Sequence, residues 1–189
     1  MCVPETKVDS LYEGSARGDA TGSIRPRTWR KSLRDTIADN RHQVHLVGVG
    51  NELKSDDAAG LEIASSLRAR LGASPAPGVK IHACTPMPER LLSKLASGEG
   101  RIVVFDAVEA SAKPGEVVFR SMADTKYGFF GTHNIPLKLV PGLGERLGDC
   151  FLVGIQPASL EVGLGLSEPV RESLNEIVAV VAEGVVERT

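Results

Sequence analysis

The sequence predicts an α/β protein with three layers, in which a mainly parallel, twisted sheet carries helices on both faces. Short apolar runs rich in β-branched residues recur along the chain, for example at 44–49, 102–105 and 151–155. Strands of parallel sheets are apolar throughout because both of their faces are buried. Longer segments with helical spacing of apolar residues lie between these runs, and this alternation is typical of β-α-β units. The 189 residues suffice for one domain of this kind.

After a leading segment, the elements follow in the order β-α-β-α-β-β-α-β-α. Apolar runs and alternating patterns predict five strands, at residues 44–49, 79–84, 102–105, 116–122 and 151–155. Helical spacing predicts four helices, at residues 58–71, 88–96, 135–147 and 168 to about 186. The third of these is expected to be broken by Pro141 and Gly142. The last is expected to begin with Ser167 as its N-cap and Pro169 in its first turn.

The N-terminal part of the chain is predicted to lie outside this domain. Residues 1–27 are rich in glycine, serine and charged residues without periodicity, so we expect a disordered tail. Residues 28–41 are expected to form a short helical extension with Thr28 as its N-cap. One face of that helix would carry three apolar residues, Trp29, Leu33 and Ile37. We interpret the helix as a stabilising appendage docked on an α/β domain of residues 42–189.

Composition and charge limit the classes of partner. The net charge of −2 does not favour nucleic acid or an anionic membrane surface. No apolar run approaches the roughly 20 residues of a membrane span, and the polar N-terminus lacks a signal-peptide core. Three scattered cysteines argue against a disulfide framework and a cysteine-rich zinc site. We therefore expect a cytoplasmic protein that binds neither nucleic acid nor membrane. We also expect it to be a monomer.

Three polar residues are predicted to lie at one edge of the sheet: Asp57 after the first strand, Asp106 at the end of the third, and His133 in a later loop. Parallel sheets gather functional residues at the carboxyl ends of their strands, so adjacent first and third strands would bring the two acids together. Two carboxylates and an imidazole suit a divalent ion such as nickel, zinc, manganese or iron. They suit equally an acid–base pair with a helper histidine. Singly, each residue has a structural explanation, such as capping of a helix by either acid of the pair Asp56-Asp57.

The other histidines are weaker candidates for that site. His42 and His45 are three residues apart on extended chain and would point to opposite faces. His82 alternates with Ile81 and Ala83 and is expected to face solvent.

The glycines after the first strand invite a nucleotide-binding interpretation, which the neighbouring residues disfavour. Gly48 and Gly50 are similar to the start of a dinucleotide fingerprint, but Leu53 occupies the position of its third glycine. The turn carries two acids where a pyrophosphate needs bare N–H groups, and the second strand ends in Cys84 instead of an acid for the ribose. The glycines are therefore predicted to permit a tight turn and close backbone packing.

Four blocks of sequence, in order, resemble the nickel-iron hydrogenase maturation proteases. The first is the run Gly48–Gly60 (GVGNELKSDDAAG), which resembles the family's glycine and acid-pair signature. The others lie at residues 103–117, 132–137 and 153–167. The histidine block, Thr132 to Leu137, is similar to the hydrogenase-3-type and methanogen branch. Together the blocks span about residues 43–183, and the resemblance implies a phosphorylase/hydrolase-like α/β fold.

The resemblance implies an endopeptidase that removes a short C-terminal peptide from the hydrogenase large-subunit precursor once nickel has been inserted. It implies that Asp57, Asp106 and His133 bind the metal, and that the metal is nickel supplied by the precursor itself. The family is usually classed with aspartic-type endopeptidases, so Asp57 and Asp106 are also the predicted catalytic residues. Which carboxylate activates water stays open, and Asp56 is expected to cap the helix or to orient its neighbour.

Two other functions remain open at this point. One is a non-catalytic nickel- or nucleotide-binding accessory protein. The other is a different hydrolase of similar architecture, such as a peptidyl-tRNA hydrolase, which also begins with a strand and a Gly-x-Gly-Asn turn. Those enzymes lack the acid pair, and their basic cleft is at odds with a net charge of −2.

Overall fold

A five-stranded sheet forms the centre of the structure, a computed structural model that describes residues 26–71, 75–84, 88–124 and 140–188. The strands are β1 (Val44–Val49), β2 (Val79–Cys84), β3 (Arg101–Ala107), β4 (Val117–Ser121) and β5 (Cys150–Ile155). The α-helices are α1 (Pro26–Ala38), α2 (Ala59–Leu71), α3 (Pro88–Ala96) and α4 (Glu168–Val186). The predicted α/β fold class is confirmed.

The strands lie in the order β2-β1-β3-β5-β4. The first four are parallel to one another, and β4 pairs with β5 in the antiparallel sense at one edge. β1 and β3 are neighbours, with Gly48 paired with Phe105, which is the adjacency that the predicted site requires. The carboxyl ends of β1, β3 and β5 therefore lie together along the carboxyl edge of the sheet, where its parallel strands end.

Helices cover both faces of the sheet, as predicted. β1 alternates between the two cores: Val44 and Leu46 belong to the one shared with α1, α2 and α4, while Val47 and Val49 belong to the one shared with α3. Successive side chains of a strand point to opposite faces, so a strand buried on both sides has to be apolar at nearly every position. Among the described residues, no helix combines the length and the apolar content needed to cross a bilayer.

Several boundaries differ from the prediction. α1 begins at Pro26, so Thr28 lies inside the helix and is not its N-cap. A 3-10 turn, Ser55–Ala58, precedes α2. β3 extends to Ala107, which makes Asp106 its next-to-last residue. The largest difference concerns the segment before β5.

The helix predicted over residues 135–147 is not present in the part of it that the structure describes. From Val140 the chain forms a turn and then a 3-10 helix, Gly144–Asp149. Pro141 removes a backbone donor, and Gly142 has a φ of +77°, a left-handed conformation that ends a helix. Residues 125–139, including His133, and the predicted tail up to residue 25 lie outside the described residues.

α1 is tied closely to the rest of the fold. Trp29, Leu33 and Ile37 are buried in the core that α4 also lines. A Cβ on Gly184 of α4 would stand 3.1 Å from Ile37 Cβ, so the glycine lets the two helices approach. At the end of α1, the Arg188 guanidinium donates to the carbonyl oxygens of Ile37, Asp39 and His42. These contacts fix both the face and the end of the helix.

Candidate active site

Three glycines allow β1, the following turn and α2 to pack backbone against backbone. A Cβ on Gly48 would stand 2.1 Å from the carbonyl oxygen of Gly60, and one on Gly60 would stand 2.2 Å from the carbonyl oxygens of Val49 and Phe105. A Cβ on Gly50 would stand 2.2 Å from the carbonyl oxygen of Asp57. Real Cβ atoms do not approach so closely, so these positions exclude any side chain. The predicted role of the glycines in close packing is confirmed.

The turn after β1 uses its own backbone donors. The amide of Asn51 donates to the carbonyl of Asp57 (3.1 Å), and the amide of Lys54 donates to the carbonyl of Asn51 (3.1 Å). The Asn51 side-chain oxygen accepts from the amide of Leu53 (3.0 Å), and the amide of Asp57 donates to the carbonyl of Lys54 (2.9 Å). A phosphate-binding loop instead points its N–H groups at the ligand. These bonds fix Asp57 in the turn that directly precedes the N-terminus of α2.

Asp57 and Asp106 come to the same edge of the sheet. Asp57 lies in the 3-10 turn that contacts β3, and Asp106 is the next-to-last residue of β3. Both are buried, with 4% and 1% of their surface exposed. One oxygen of Asp106 accepts the amide of Ala107 (2.9 Å). The structure thus brings together two of the three predicted ligands, while His133 lies outside the described residues. Within the described ranges, no three His, Cys, Asp or Glu side chains form a metal-binding group.

Asp56 has a structural role that differs from the predicted cap of α2. Its carboxylate has no exposed surface and accepts four hydrogen bonds from the segment between β5 and α4. The amides of Ala158 (2.8 Å) and Ser159 (3.1 Å) donate to one oxygen, together with the Ser167 hydroxyl (2.9 Å). The Ser167 amide (2.7 Å) donates to the other oxygen. Ser167 stands before α4 as predicted, but its side chain bonds Asp56 and does not cap the helix.

The turn after β1 also pairs with the loop after β5. The amide of Gly163 donates to the carbonyl of Leu53 (3.0 Å), and the amide of Ser55 donates to the carbonyl of Gly163 (2.9 Å). These bonds form a parallel bridge between Lys54 and Gly163. A Cβ on Gly163 would stand 2.7 Å from the Ser55 hydroxyl oxygen, so a side chain there would displace that hydroxyl. Two loops far apart in sequence thus form one structure beside Asp57.

Gln156, directly after β5, organises the loop that follows β3. The side chain is buried, and its oxygen accepts the amides of Ala110 (2.8 Å) and Ala112 (3.3 Å). The backbone carbonyl of Gln156 accepts a hydrogen bond from the amide of Gly115 (2.8 Å). A buried amide side chain needs such partners to offset its desolvation. The sequence signal for this role was a lone glutamine at the carboxyl end of a buried strand.

The prediction that His82 faces solvent is confirmed only in part, because His82 is half-buried. Its Nε2 lies 3.1 Å from Nδ1 of His45, and His45 is buried. Burial lowers the pKa of both imidazoles below the ordinary value, and nearby cationic side chains, Lys80 among them, lower both further. His45 is the second residue of β1 and His82 is level with Val47, so the pair lies short of the strand ends where the acids meet.

Comparison with known proteins shows which proteins this chain is similar to. The profile of the HycI family, described as hydrogenase maturation protease, matches residues 61–184, more than half of the chain. That segment contains Asp106, while Asp57 lies just before it. The hydrogenase 3 maturation protease of Escherichia coli K12 is 26% identical over 134 residues, which are 70% of this chain and 84% of that protein.

Solved structures of the same kind share the fold. The [NiFe] hydrogenase maturation protease HycI from Thermococcus kodakarensis KOD1 superposes with a TM-score of 0.68 at 27% identity, covering 82% of this chain and 99% of that one. The maturation protease HybD from Thermococcus kodakarensis gives a TM-score of 0.55 at 28% identity, covering 75% and 97%. With two buried acids at the strand edge and a family profile across most of the fold, this chain belongs to the hydrogenase maturation proteases.

Proposed function

We propose that this member of the hydrogenase maturation proteases removes a C-terminal peptide from a nickel-loaded hydrogenase large-subunit precursor. Relatives of this chain are hydrogenase maturation proteases from a bacterium and an archaeon. The observation that supports the proposal is the placement of two buried acids, Asp57 after β1 and Asp106 near the end of β3, at the carboxyl edge of a parallel sheet. That edge is where α/β proteins bind their ligands.

The proposed chemistry is hydrolysis of one peptide bond near the precursor's nickel. Asp57, Asp106 and His133 would contact that nickel, since two carboxylates and an imidazole suit a borderline divalent ion and leave positions for ligands from the precursor. Burial favours this contact, because charges attract more strongly where water is excluded. Recognition of the nickel would fix the scissile bond beside the acids.

An aspartic mechanism completes the proposal. One carboxylate, of Asp57 or Asp106, takes a proton from water as the water oxygen adds to the peptide carbonyl. The C–N bond then breaks, the leaving nitrogen takes up the proton, and the products are a new carboxyl terminus and a free amine.

We also propose that the protein acts in the cytoplasm as a monomer. Gel filtration at several concentrations tests the oligomeric state.

A processing assay tests the function. Purified large-subunit precursor is incubated with nickel and this protein, and its mass is followed by mass spectrometry. We expect a C-terminal shortening that requires both nickel and the protein. An unchanged mass for a cognate, nickel-loaded precursor would refute the proposed function.

Substitutions test the site. We expect Asp57→Asn, Asp106→Asn and His133→Ala to reduce processing at least a hundredfold while the unfolding midpoint stays near that of the original protein. Asp149→Asn is the matched control, because Asp149 precedes β5 at the opposite end of the strand and forms an ion pair with Arg146. Normal processing by all three site variants would exclude these residues from the reaction.

A further inference from the structure

A paired segment beside Asp57 presents apolar side chains to water. We define the apolar ribbon as residues 53–55 together with residues 162–164, which are joined by the bridge between Lys54 and Gly163. Leu53 is 65% exposed, Val162 87% and Leu164 83%. Val186 at the end of α4 is the other large apolar residue of the described chain with comparable exposure. Three of four such residues are thus concentrated in one short structure.

The exposure is fixed by the fold and does not result from fraying. Two backbone hydrogen bonds join the strands of the ribbon, from Gly163 to Leu53 and from Ser55 to Gly163. The buried Asp56 carboxylate holds the far strand at both of its ends, through Ala158 and Ser159 on one side and Ser167 on the other. A chain segment with this many bonds cannot turn its apolar side chains inward. The register also places Leu53 level with Val162.

The position of the ribbon identifies its partner. The ribbon ends two residues before Asp57, so it is continuous with the turn that carries one acid of the candidate active site. The family is one of proteases, whose substrates are polypeptides. Charged residues, Glu52, Lys54 and Glu161, are exposed around the apolar side chains. An apolar centre with a charged border is the usual composition of a protein-binding surface.

We propose that the apolar ribbon is a docking surface of the protease, which binds an apolar segment of the precursor chain next to the peptide bond that is cleaved. The inference rests on the proposed function and adds a binding site outside the acid pair. Leu53, Val162 and Leu164 would lose their exposure to water in the complex, and that burial would strengthen substrate binding without touching the reacting atoms. They are therefore binding residues and not catalytic ones.

Steady-state processing of the nickel-loaded precursor tests the docking surface. Leu53→Ser, Val162→Ser and Leu164→Ser are made singly and together in the full chain. We expect each single change to raise KM about fivefold and the triple change to raise it at least thirtyfold, because buried apolar anchors carry much of the affinity of protein interfaces. We expect kcat to stay within about twofold. Val186→Ser, an equally exposed apolar residue away from the ribbon, should leave both constants unchanged.

The possible outcomes separate this inference from the proposed function. If the original protein processes the precursor and the triple variant has an unchanged KM, the docking surface is refuted and the function stands. If no processing occurs, calorimetric titration with the precursor compares the binding of the original protein and of the triple variant. Equal Kd values for the two proteins would refute the docking surface too. A triple variant that loses only self-association, seen by sedimentation, would show that the ribbon joins copies of this chain and would overturn the inference.

Discussion

Replacement of Asp56 by asparagine should loosen the loop that follows β5 and destabilise the whole protein. The carboxylate has no exposed surface and accepts four hydrogen bonds, three of them from backbone amides. Asparagine keeps one oxygen and introduces an NH₂ group, so at least one amide would face another donor. Whichever way the side chain turns, either Ser167 or the pair Ala158 and Ser159 loses its acceptor.

The size of the effect follows from these bonds. A hydrogen bond to a charged group contributes about 1.5–3 kcal/mol net, and a buried donor without a partner costs about 1–3 kcal/mol. Bonds within one network do not add, so we expect a loss of about 3 kcal/mol in the free energy of unfolding. In a chain of this length, that corresponds to a fall of about 6–12 °C in Tm. Ser167→Ala removes one of the four bonds and should cost about 1.5 kcal/mol.

The measurement is urea unfolding followed by tryptophan fluorescence. Trp29 is the single tryptophan and is buried in the main core, so its emission reports global unfolding. Amide exchange at Ala158, Ser159 and Ser167 reports the loop separately, and we expect it to accelerate in the asparagine variant. An unfolding free energy within about 0.5 kcal/mol of the original protein, with unchanged exchange at these amides, would refute the role given to Asp56.

Three further predictions concern packing and titration. Gly60→Ala should cost about 3 kcal/mol or more, because its Cβ would stand 2.2 Å from two backbone oxygens, whereas Gly148→Ala, with nothing within 4 Å, should be nearly neutral in the same urea titration. The free energy of unfolding should fall from pH 7 to pH 5, because the fold lowers the pKa values of His45 and His82 and the unfolded chain therefore binds more protons. His82→Gln should make this dependence on pH less steep, and an equally steep dependence would contradict the role given to the histidine pair. Burial raises the pKa of Cys150 to about 12, so this thiol should resist alkylation in the native protein and react in denaturant. Rapid alkylation of Cys150 in the native protein, detected by mass spectrometry, would count against its burial.

Much of the sheet could be predicted from the sequence because each strand carries its own signal. The apolar run of β1 and the alternation of β2 predict both strands with the bounds that the structure has. Pro88 at the start of α3 and Pro169 in the first turn of α4 likewise mark helix starts by local chemistry. A short window of sequence is enough to indicate a strand that is buried on both faces and the residue types that are typical of helix ends.

The site could be predicted only in part, because its supporting contacts join distant residues. Asp57 and Asp106 follow strands, and the rule for parallel sheets places them at one edge. Asp56 and Ser167 are 111 residues apart, and nothing local to either residue indicates their hydrogen bond. His82 lies on an edge strand, where alternation suggests exposure, yet the neighbouring strand supplies His45 as a partner. Long-range pairs of this kind require the fold to be known.

The hydrogen bonds of Arg188 make the two ends of the described chain depend on each other. One guanidinium near the C-terminus holds three carbonyl oxygens at the end of the first helix, across sequence separations of 146 to 151 residues. Loss of Arg188 would therefore free the end of α1, while the buried face of that helix would stay packed in the core. Truncations should be designed with both segments in view, and newly made α1 has no fixed end until the segment that contains Arg188 has been synthesised.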